Sequence, residues 1–160
     1  MIIDTHTHTF PDRIAARALA GMEKSIVDKH DWNVKIKVAG TRDALSESTK
    51  KNGVDISVVV PVATKPEQSA SINEFAAQTN EKTKETGVFS LGAIHPDNED
   101  YKDILDDIKK KGLKGIKVHP DYQKVEFDDP RYLRIFKYAD ELGLVIVTHA
   151  GEDIGLPEKI

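Results

Sequence analysis

The sequence predicts an α/β fold with a parallel sheet, specifically the N-terminal portion, about five βα units, of a TIM-type (β/α)8 barrel. One observation is a recurring unit in which a polar helical stretch ends at a glycine and a short apolar run follows, as in KKNGVDISVVVPVAT and DELGLVIVTHAGED. Another is that these runs are rich in β-branched residues and nearly continuous, which is typical of parallel strands covered on both faces. The third is that histidines fall where the runs end.

The boundaries of the strands follow from this repeating unit. Five strands are expected, near residues 1–8, 54–63, 88–95, 114–119 and 143–149. A glycine stands where each of four helices would end in a left-handed residue, at Gly53, Gly87, Gly112 and Gly143. Four helix-to-strand junctions are therefore predicted.

Amphipathic segments between the strands are predicted to be helices. In HPDNEDYKDILDDIKKKG, Asp97 is the candidate N-cap. In DDPRYLRIFKYADELG, Asp129 is the candidate N-cap and Pro130 the first helical residue. The buried face of this second helix is predicted to carry Leu133, Phe136 and Leu142. Other helices are expected within residues 11–28, 41–53 and 65–87, and a loop or small hairpin over residues 29–40.

The same alternation of strands and helices also suits an open doubly wound sheet, so the two architectures have to be separated. Doubly wound folds that bind nucleotides carry a glycine-rich phosphate loop after a strand, and neither G-x-G-x-x-G nor a P-loop pattern is present. A (β/α)8 barrel places its functional residues at the carboxyl ends of its strands. The histidines lie at such ends, which favours the barrel.

Composition limits the possible partners and the possible metal ligands. The chain has 160 residues, enough for one domain, and a net charge of −4 without a basic stripe, so a nucleic-acid partner is not expected. Neither a membrane span nor a signal peptide is recognised, so a cytoplasmic location is expected. Because there is no cysteine, any metal would have to be bound by His, Asp or Glu.

Five of the six histidines fall at predicted strand ends. His6 and His8 end the first strand, and the others end the third, fourth and fifth strands, at His95, His119 and His149. Alternation along a strand places Asp4, His6 and His8 on one face, and likewise Lys117 with His119. A lysine on that face is a functional candidate, because an apolar layer would not tolerate its charge unpaired.

Each of these residues also has a purely structural interpretation. His6 and His8 could form a polar surface edge, and His95 and His119, which both precede a proline, could belong to turns. His149 could be a hydrogen-bonded core histidine. Asp4 could orient a ligating imidazole or cap the barrel floor. Glu152 and Asp153 are the last two candidates. They could be loop carboxylates near the mouth of the barrel, or simply a solvated pair.

Three segments carry a resemblance to a known family: DTHTHTFPD, GIKVHPDYQ and VTHAGED. They resemble the amidohydrolase superfamily, in particular the branch of aminocarboxymuconate-semialdehyde decarboxylase, over essentially the whole chain. The resemblance implies a divalent metal, zinc above all with manganese or iron as alternatives, bound by His6, His8 and His149. Lys117 or His119 would hold a carboxylate or polarise a carbonyl of a small-molecule substrate. In some branches the lysine of the fourth strand is carboxylated and bridges two metals.

The expected activity follows from the chemistry of such a metal. Three protein ligands leave an open position, and a water bound there has a pKa near ~7, so hydroxide forms at neutral pH. We therefore expect a metal-dependent hydrolase acting on a small carboxylate, amide, ester or lactone. The alternatives are a non-oxidative decarboxylase of the same superfamily and a catalytically incomplete partial barrel that serves only in assembly.

The sequence departs from the family pattern at its end. The resemblance also implies a histidine after the sixth strand and an aspartate after the eighth, the latter a metal ligand and general base, whereas this sequence ends in GLPEKI after the fifth. A closed barrel takes ~250 residues. We expect either a fragment of a longer enzyme, as one partial barrel domain over residues 1–160, or a natural partial barrel whose open sheet edges form homo-oligomers.

Overall fold

A computed structural model describes residues 1–30 and 32–150, and all paired strands in it are parallel. The strands are β1 (Ile3–Thr7), β2 (Ile56–Val59), β3 (Val88–Ser90), β4 (Gly92–Ala93), β5 (Gly115–Val118) and β6 (Val145–Thr148). They form two sheets with the orders β1-β2-β3 and β4-β5-β6. The five predicted strands are all present, and the third is divided at Leu91 into β3 and β4. The amide of Leu91 donates to the carbonyl of Val59 at 3.0 Å.

The order of the strands decides between the two architectures that the sequence left open. Each strand is paired with the strand that comes next to it along the chain, within both sheets. In a doubly wound sheet the order of the strands reverses next to the central strand, so some neighbouring strands there are not consecutive along the chain. Sequential parallel strands separated by helices are the arrangement of a (β/α)8 barrel. The α/β fold class and the partial barrel are therefore confirmed.

Helices connect the strands, and most lie where the sequence places them. They are α1 (Asp12–His30), α2 (Arg42–Lys51), α3 (Ser69–Glu81), α4 (Thr83–Thr86), α5 (Tyr101–Lys110), α6 (Pro120–Gln123) and α7 (Pro130–Glu141), with a 3-10 turn at Pro66–Gln68. Residues 32–40 contain neither helix nor strand, so the hairpin alternative is wrong for them. The short α6 was not predicted. In the part of the chain described, no helix combines the length and apolarity needed to cross a membrane.

The ends of the helices test the capping predictions. All four predicted glycines have a left-handed φ, between 66° and 75°. The N-cap of α7 is confirmed, because the Asp129 carboxylate accepts the backbone N–H of Arg131 at 2.8 Å. The N-cap predicted for α5 is wrong. That helix begins after Asp100, and the carboxylate of Asp97 instead accepts from the Arg131 guanidinium at 2.6 Å.

The main core lies between the second sheet and helices α5 and α7. Its fully buried members include Leu105 and Ile108 of α5 and Ile116 and Val118 of β5. On α7 the buried residues are Tyr132, Ile135 and Ala139. The prediction that Leu133 faces the core is wrong, since it is 51% exposed, whereas Phe136 and Leu142 do pack against the core.

The first strand contains an irregularity that affects the predicted site. Asp4 pairs with Ser57, but Thr7 pairs with Val59, so β1 has one residue more than β2 over this stretch. Such a bulge re-aims the side chains that follow it and is common beside functional sites. Strict alternation from Asp4 to the histidines, as the sequence suggested, therefore does not hold.

Gly115 is required where β5 and β6 approach each other. A Cβ at this position would lie 2.3 Å from the carbonyl oxygen of Val145, which belongs to backbone and cannot swing away. We expect Gly115→Ala to lower the free energy of unfolding by on the order of 1–3 kcal/mol, measured by urea denaturation.

The matched control is Gly21→Ala, in the middle of α1, where a Cβ would meet nothing within 4 Å. This substitution is expected to raise the free energy of unfolding by roughly 0.5–1 kcal/mol through helix propensity. Equal stability of the two variants would contradict the close approach of β5 to β6.

Candidate functional site

The five predicted site residues lie at the carboxyl ends of three strands. His6 is in β1 and His8 directly follows it; Lys117 is in β5 and His119 directly follows it; His149 directly follows β6. Parallel strands direct their carboxyl ends to one rim, which is the functional face of such folds.

Two pairs of rings define the geometry of this rim. The His119 and His149 rings stack, with centroids 4.2 Å apart and planes 7° from parallel. The His6 and His8 rings meet edge to face, with centroids 5.1 Å apart and an interplanar angle of 68°. The far face of His119 is covered by the ring of Tyr122 at 4.0 Å. His119 and His149 are therefore in direct contact although they lie on different strands, and His6 and His8 form a second pair at the end of β1.

Burial varies steeply among these residues. Lys117 is completely buried, and His119 is 7% exposed. His149 is half-buried, whereas His6 and His8 are exposed at the edge. The site thus has a deep side at β5 and a side open to solvent at β1.

The pKa values of three of these histidines, His6, His8 and His119, are lowered, which bears on what their rings can bind. Burial is the largest cause for His6, His8 and His119, and the charge of Lys117 contributes for all three. For His119, burial and then His149 bring the pKa to about 4. These three imidazoles are therefore neutral at neutral pH, which is the form that offers a lone pair to a metal or a hydrogen bond to a substrate.

Two buried nitrogens in this cluster have no hydrogen-bond partner among residues 1–30 and 32–150: Nζ of Lys117 and Nε2 of His149. Burial lowers the pKa of Lys117, because an ammonium group loses its hydration there. An unpartnered buried polar atom costs free energy unless a ligand or water satisfies it. Both nitrogens are thus available to a bound group.

The arrangement falls short of a complete metal centre. Among the residues that the structure describes, no three His, Asp or Glu side chains form a group that could hold a metal ion. The donor set nevertheless suits one, since the neutral imidazoles of His6 and His8 and the unpartnered Nε2 of His149 are ligands that zinc accepts. The assignment of His6, His8 and His149 as metal ligands stays a prediction.

The other candidate residues occupy different places. The Asp4 carboxylate accepts the backbone N–H of His6 at 3.2 Å, so it contacts the backbone of the strand rather than orienting a ring. His95 follows β4, and burial lowers its pKa. The nearby charges have smaller effects: Asp97 and Glu67 raise this pKa, and Arg131 lowers it. Glu152 and Asp153 lie outside the described residues.

Sequence reasoning missed the polar groups that support this rim. The buried side chains of Asn98 and Gln123 hold the backbone N–H groups of His95 and His119. The signal was present, because both histidines begin a His-Pro-Asp segment and an amide residue follows each segment closely.

Comparison with known proteins agrees with this architecture. A sequence model described as amidohydrolase matches residues 3–159. No curated protein matches. A crystal structure of an amidohydrolase II has a TM-score of 0.70 and 16% identity, covering 100% of this chain and 54% of its own.

Two decarboxylases are also similar in structure. The 5-carboxyvanillate decarboxylase of Novosphingobium aromaticivorans, solved with manganese, has a TM-score of 0.68 and 16% identity, covering 93% of this chain and 50% of its own. A 2,6-dihydroxybenzoate decarboxylase has a TM-score of 0.57 and 13% identity, covering 99% of this chain and 52% of its own. The chain therefore spans about half the length of these solved structures.

The low pKa of His119 predicts a dependence of stability on pH. Its folded pKa of about 4 lies below the ordinary 6.5, so the unfolded chain binds more protons between these values and stability falls as the pH is lowered through that window. We expect His119→Asn, which keeps a capping acceptor for the amide of Tyr122, to reduce this loss by on the order of 2 kcal/mol.

The measurement is urea denaturation of both proteins at intervals from pH 7 to pH 4, with chelator present to remove metal. Histidines that are not coupled to His119 contribute to both curves alike, so the difference reports His119 together with its coupling to His149 and His8. Parallel curves would show that His119 is not held neutral by its surroundings.

Proposed function

We propose, from the premise that this chain belongs to the amidohydrolase family, that it provides the first part of a metal-dependent hydrolase site. The observation that carries the proposal is that two pairs of imidazoles, His6 with His8 and His119 with His149, lie with a buried lysine at the carboxyl ends of β1, β5 and β6. The two pairs are close enough for their charges and that of Lys117 to influence one another. The substrate class is a small carboxylate, amide, ester or lactone.

In this proposal His6, His8 and His149 hold a divalent ion. The lowered pKa values of His6 and His8 favour the neutral form that a metal requires, and Nε2 of His149 is buried without a partner in the described chain. Zinc is the expected ion, with manganese or iron as alternatives. When bound, such an ion acts as a Lewis acid and lowers the pKa of a bound water.

Lys117 and His119 are the residues proposed to contact the substrate. The amine of Lys117 lies on the deep side of the site, where it lacks a partner in the described part of the protein. A substrate carboxylate or carbonyl oxygen would supply that partner, because an ion pair or hydrogen bond formed out of water is strong. His119, neutral and stacked on His149, would donate to the same oxygen.

Two further functions are supported by specific observations. Non-oxidative decarboxylation is supported by the structural likeness to two decarboxylases, at 16% and 13% identity, and it would use the same carboxylate-binding lysine.

A role in assembly is supported by the sheet edges: in the described residues β1 pairs only with β2, and β6 only with β5. Such unpaired edges can pair with another chain or with a second copy.

Metal analysis tests the proposed site. We expect the purified chain to carry roughly one divalent ion, detected by inductively coupled plasma mass spectrometry, and the double variant His6→Ala/His8→Ala to lose it. His95→Ala is the matched control, since His95 lies outside the histidine cluster and should retain the ion. Unchanged metal content in the double variant, or equal loss in the control, would contradict the proposed ligands.

A further inference from the structure

Two consecutive strand ends carry the same three-residue sequence, and in each the histidine Nδ1 accepts a backbone N–H from two or three residues further along the chain. His-Pro-Asp follows β4 at residues 95–97 and β5 at residues 119–121. In the first, Nδ1 of His95 accepts the backbone N–H of Asp97 at 3.2 Å. In the second, Nδ1 of His119 accepts the backbone N–H of Tyr122 at 3.4 Å. The segment therefore fixes the Nδ1 side of each ring against its own backbone.

A buried side-chain amide then holds the backbone of each histidine. The N–H of His95 donates to Oδ1 of Asn98 at 3.1 Å, and the N–H of His119 donates to Oε1 of Gln123 at 2.9 Å. Both amide residues are more than nine-tenths buried. The two strand ends thus share one construction, which we name the amide clamp: a histidine, its proline, and the buried Asn98 or Gln123.

The clamp after β5 reaches much further than its own turn. Nε2 of Gln123 donates to the carbonyls of Ala63 and Ile94, each at 2.8 Å, and Oε1 also accepts the hydroxyl of Tyr132 at 2.5 Å. A primary amide has two N–H donors and two acceptor lone pairs, and here all four are used. One side chain thereby connects the segments that follow β2, β4 and β5 with helix α7.

The direction of the Nδ1 bond determines where the ring carries its proton. A backbone N–H can only donate, so Nδ1 of His119 must accept. A neutral imidazole has one N–H and one lone pair, and the proton therefore lies on Nε2. His119 consequently offers a hydrogen-bond donor, whereas a neutral histidine that binds metal through Nε2 must offer a lone pair there.

We propose that Gln123 is a positioning residue that fixes His119 as an Nε2–H donor at the carboxyl end of β5. The inference rests on the proposed function only in naming the acceptor, a carboxylate or carbonyl oxygen of the substrate. It separates the role of His119 from that of its stacking partner His149, whose Nε2 is buried and has no partner in the described chain.

Gln123 cannot be replaced by its nearest isostere without breaking the clamp. Gln123→Glu keeps the shape but removes both N–H donors, so a carboxylate oxygen would face the carbonyls of Ala63 and Ile94. Gln123→Met keeps the length without a charge and serves as the second variant if the first fails to fold. Asn98→Asp is the matched control, because it alters the equivalent clamp of His95.

The test is the imidazole nitrogen spectrum of the full 160-residue chain, labelled with nitrogen-15 and recorded near pH 8. His95→Asn and His119→Asn assign the signals. In the wild-type chain we expect Nδ1 unprotonated and Nε2 protonated for both rings. In Gln123→Glu or Gln123→Met the separation between the two nitrogen resonances of His119 should shrink while that of His95 stays unchanged, and Asn98→Asp should do the reverse.

Two results would overturn the inference. One is a proton on Nδ1 of His119 in the wild-type chain, which can be observed without any variant. The other is an unchanged His119 spectrum in a folded Gln123 variant. A merely structural role would lower the unfolding midpoint without this selective change. Treatment with chelator should leave the wild-type signals in place, since the clamp belongs to the chain. If the chain as purified carries no divalent ion and still shows this spectrum, the proposed metal site fails while the clamp is supported.

Discussion

An amine without a partner at the carboxyl end of β5 is the constraint on which the candidate site depends. Lys117 is completely buried, and no described residue hydrogen-bonds to its Nζ. Burial lowers the pKa of His6, His8 and His119, and the charge of Lys117 lowers it further in each. A buried cation in this position is unfavourable unless an anion joins it. This is the basis for proposing a substrate carboxylate or carbonyl oxygen as the partner of Lys117.

The fold provides the rigidity that this arrangement requires. β5 is buried on both faces: Ile116 and Val118 pack in the core, and Lys117 alternates with them toward the histidines. The amide of Gln123 then connects the ends of neighbouring strands with α7. Stability and function are coupled at this point, because the same buried hydrogen bonds that hold the strands also orient His119. Loss of one partner would leave other buried groups unsatisfied.

Much of this was predictable from the sequence, and the exceptions have physical reasons. The strands, the glycine helix ends and the cap at Asp129 follow from local rules of periodicity and capping. The bulge in β1 was not predictable, because it depends on how β1 pairs with a strand about fifty residues away. Asp97 was assigned as a helix cap because its real partner, Arg131, lies on another helix. Nor did spacing reveal that Gln123 contacts four separate segments.

The most direct test of the central claim, that strand-end imidazoles share one cation, is anomalous X-ray diffraction from crystals of the chain grown with zinc. We expect a single strong peak at about 2.0–2.1 Å from a ring nitrogen of each of His6, His8 and His149. His119 should lie beside the ion without coordinating it. A peak bound by His119 through Nε2, a peak elsewhere on the surface, or no peak at the rim would contradict the account.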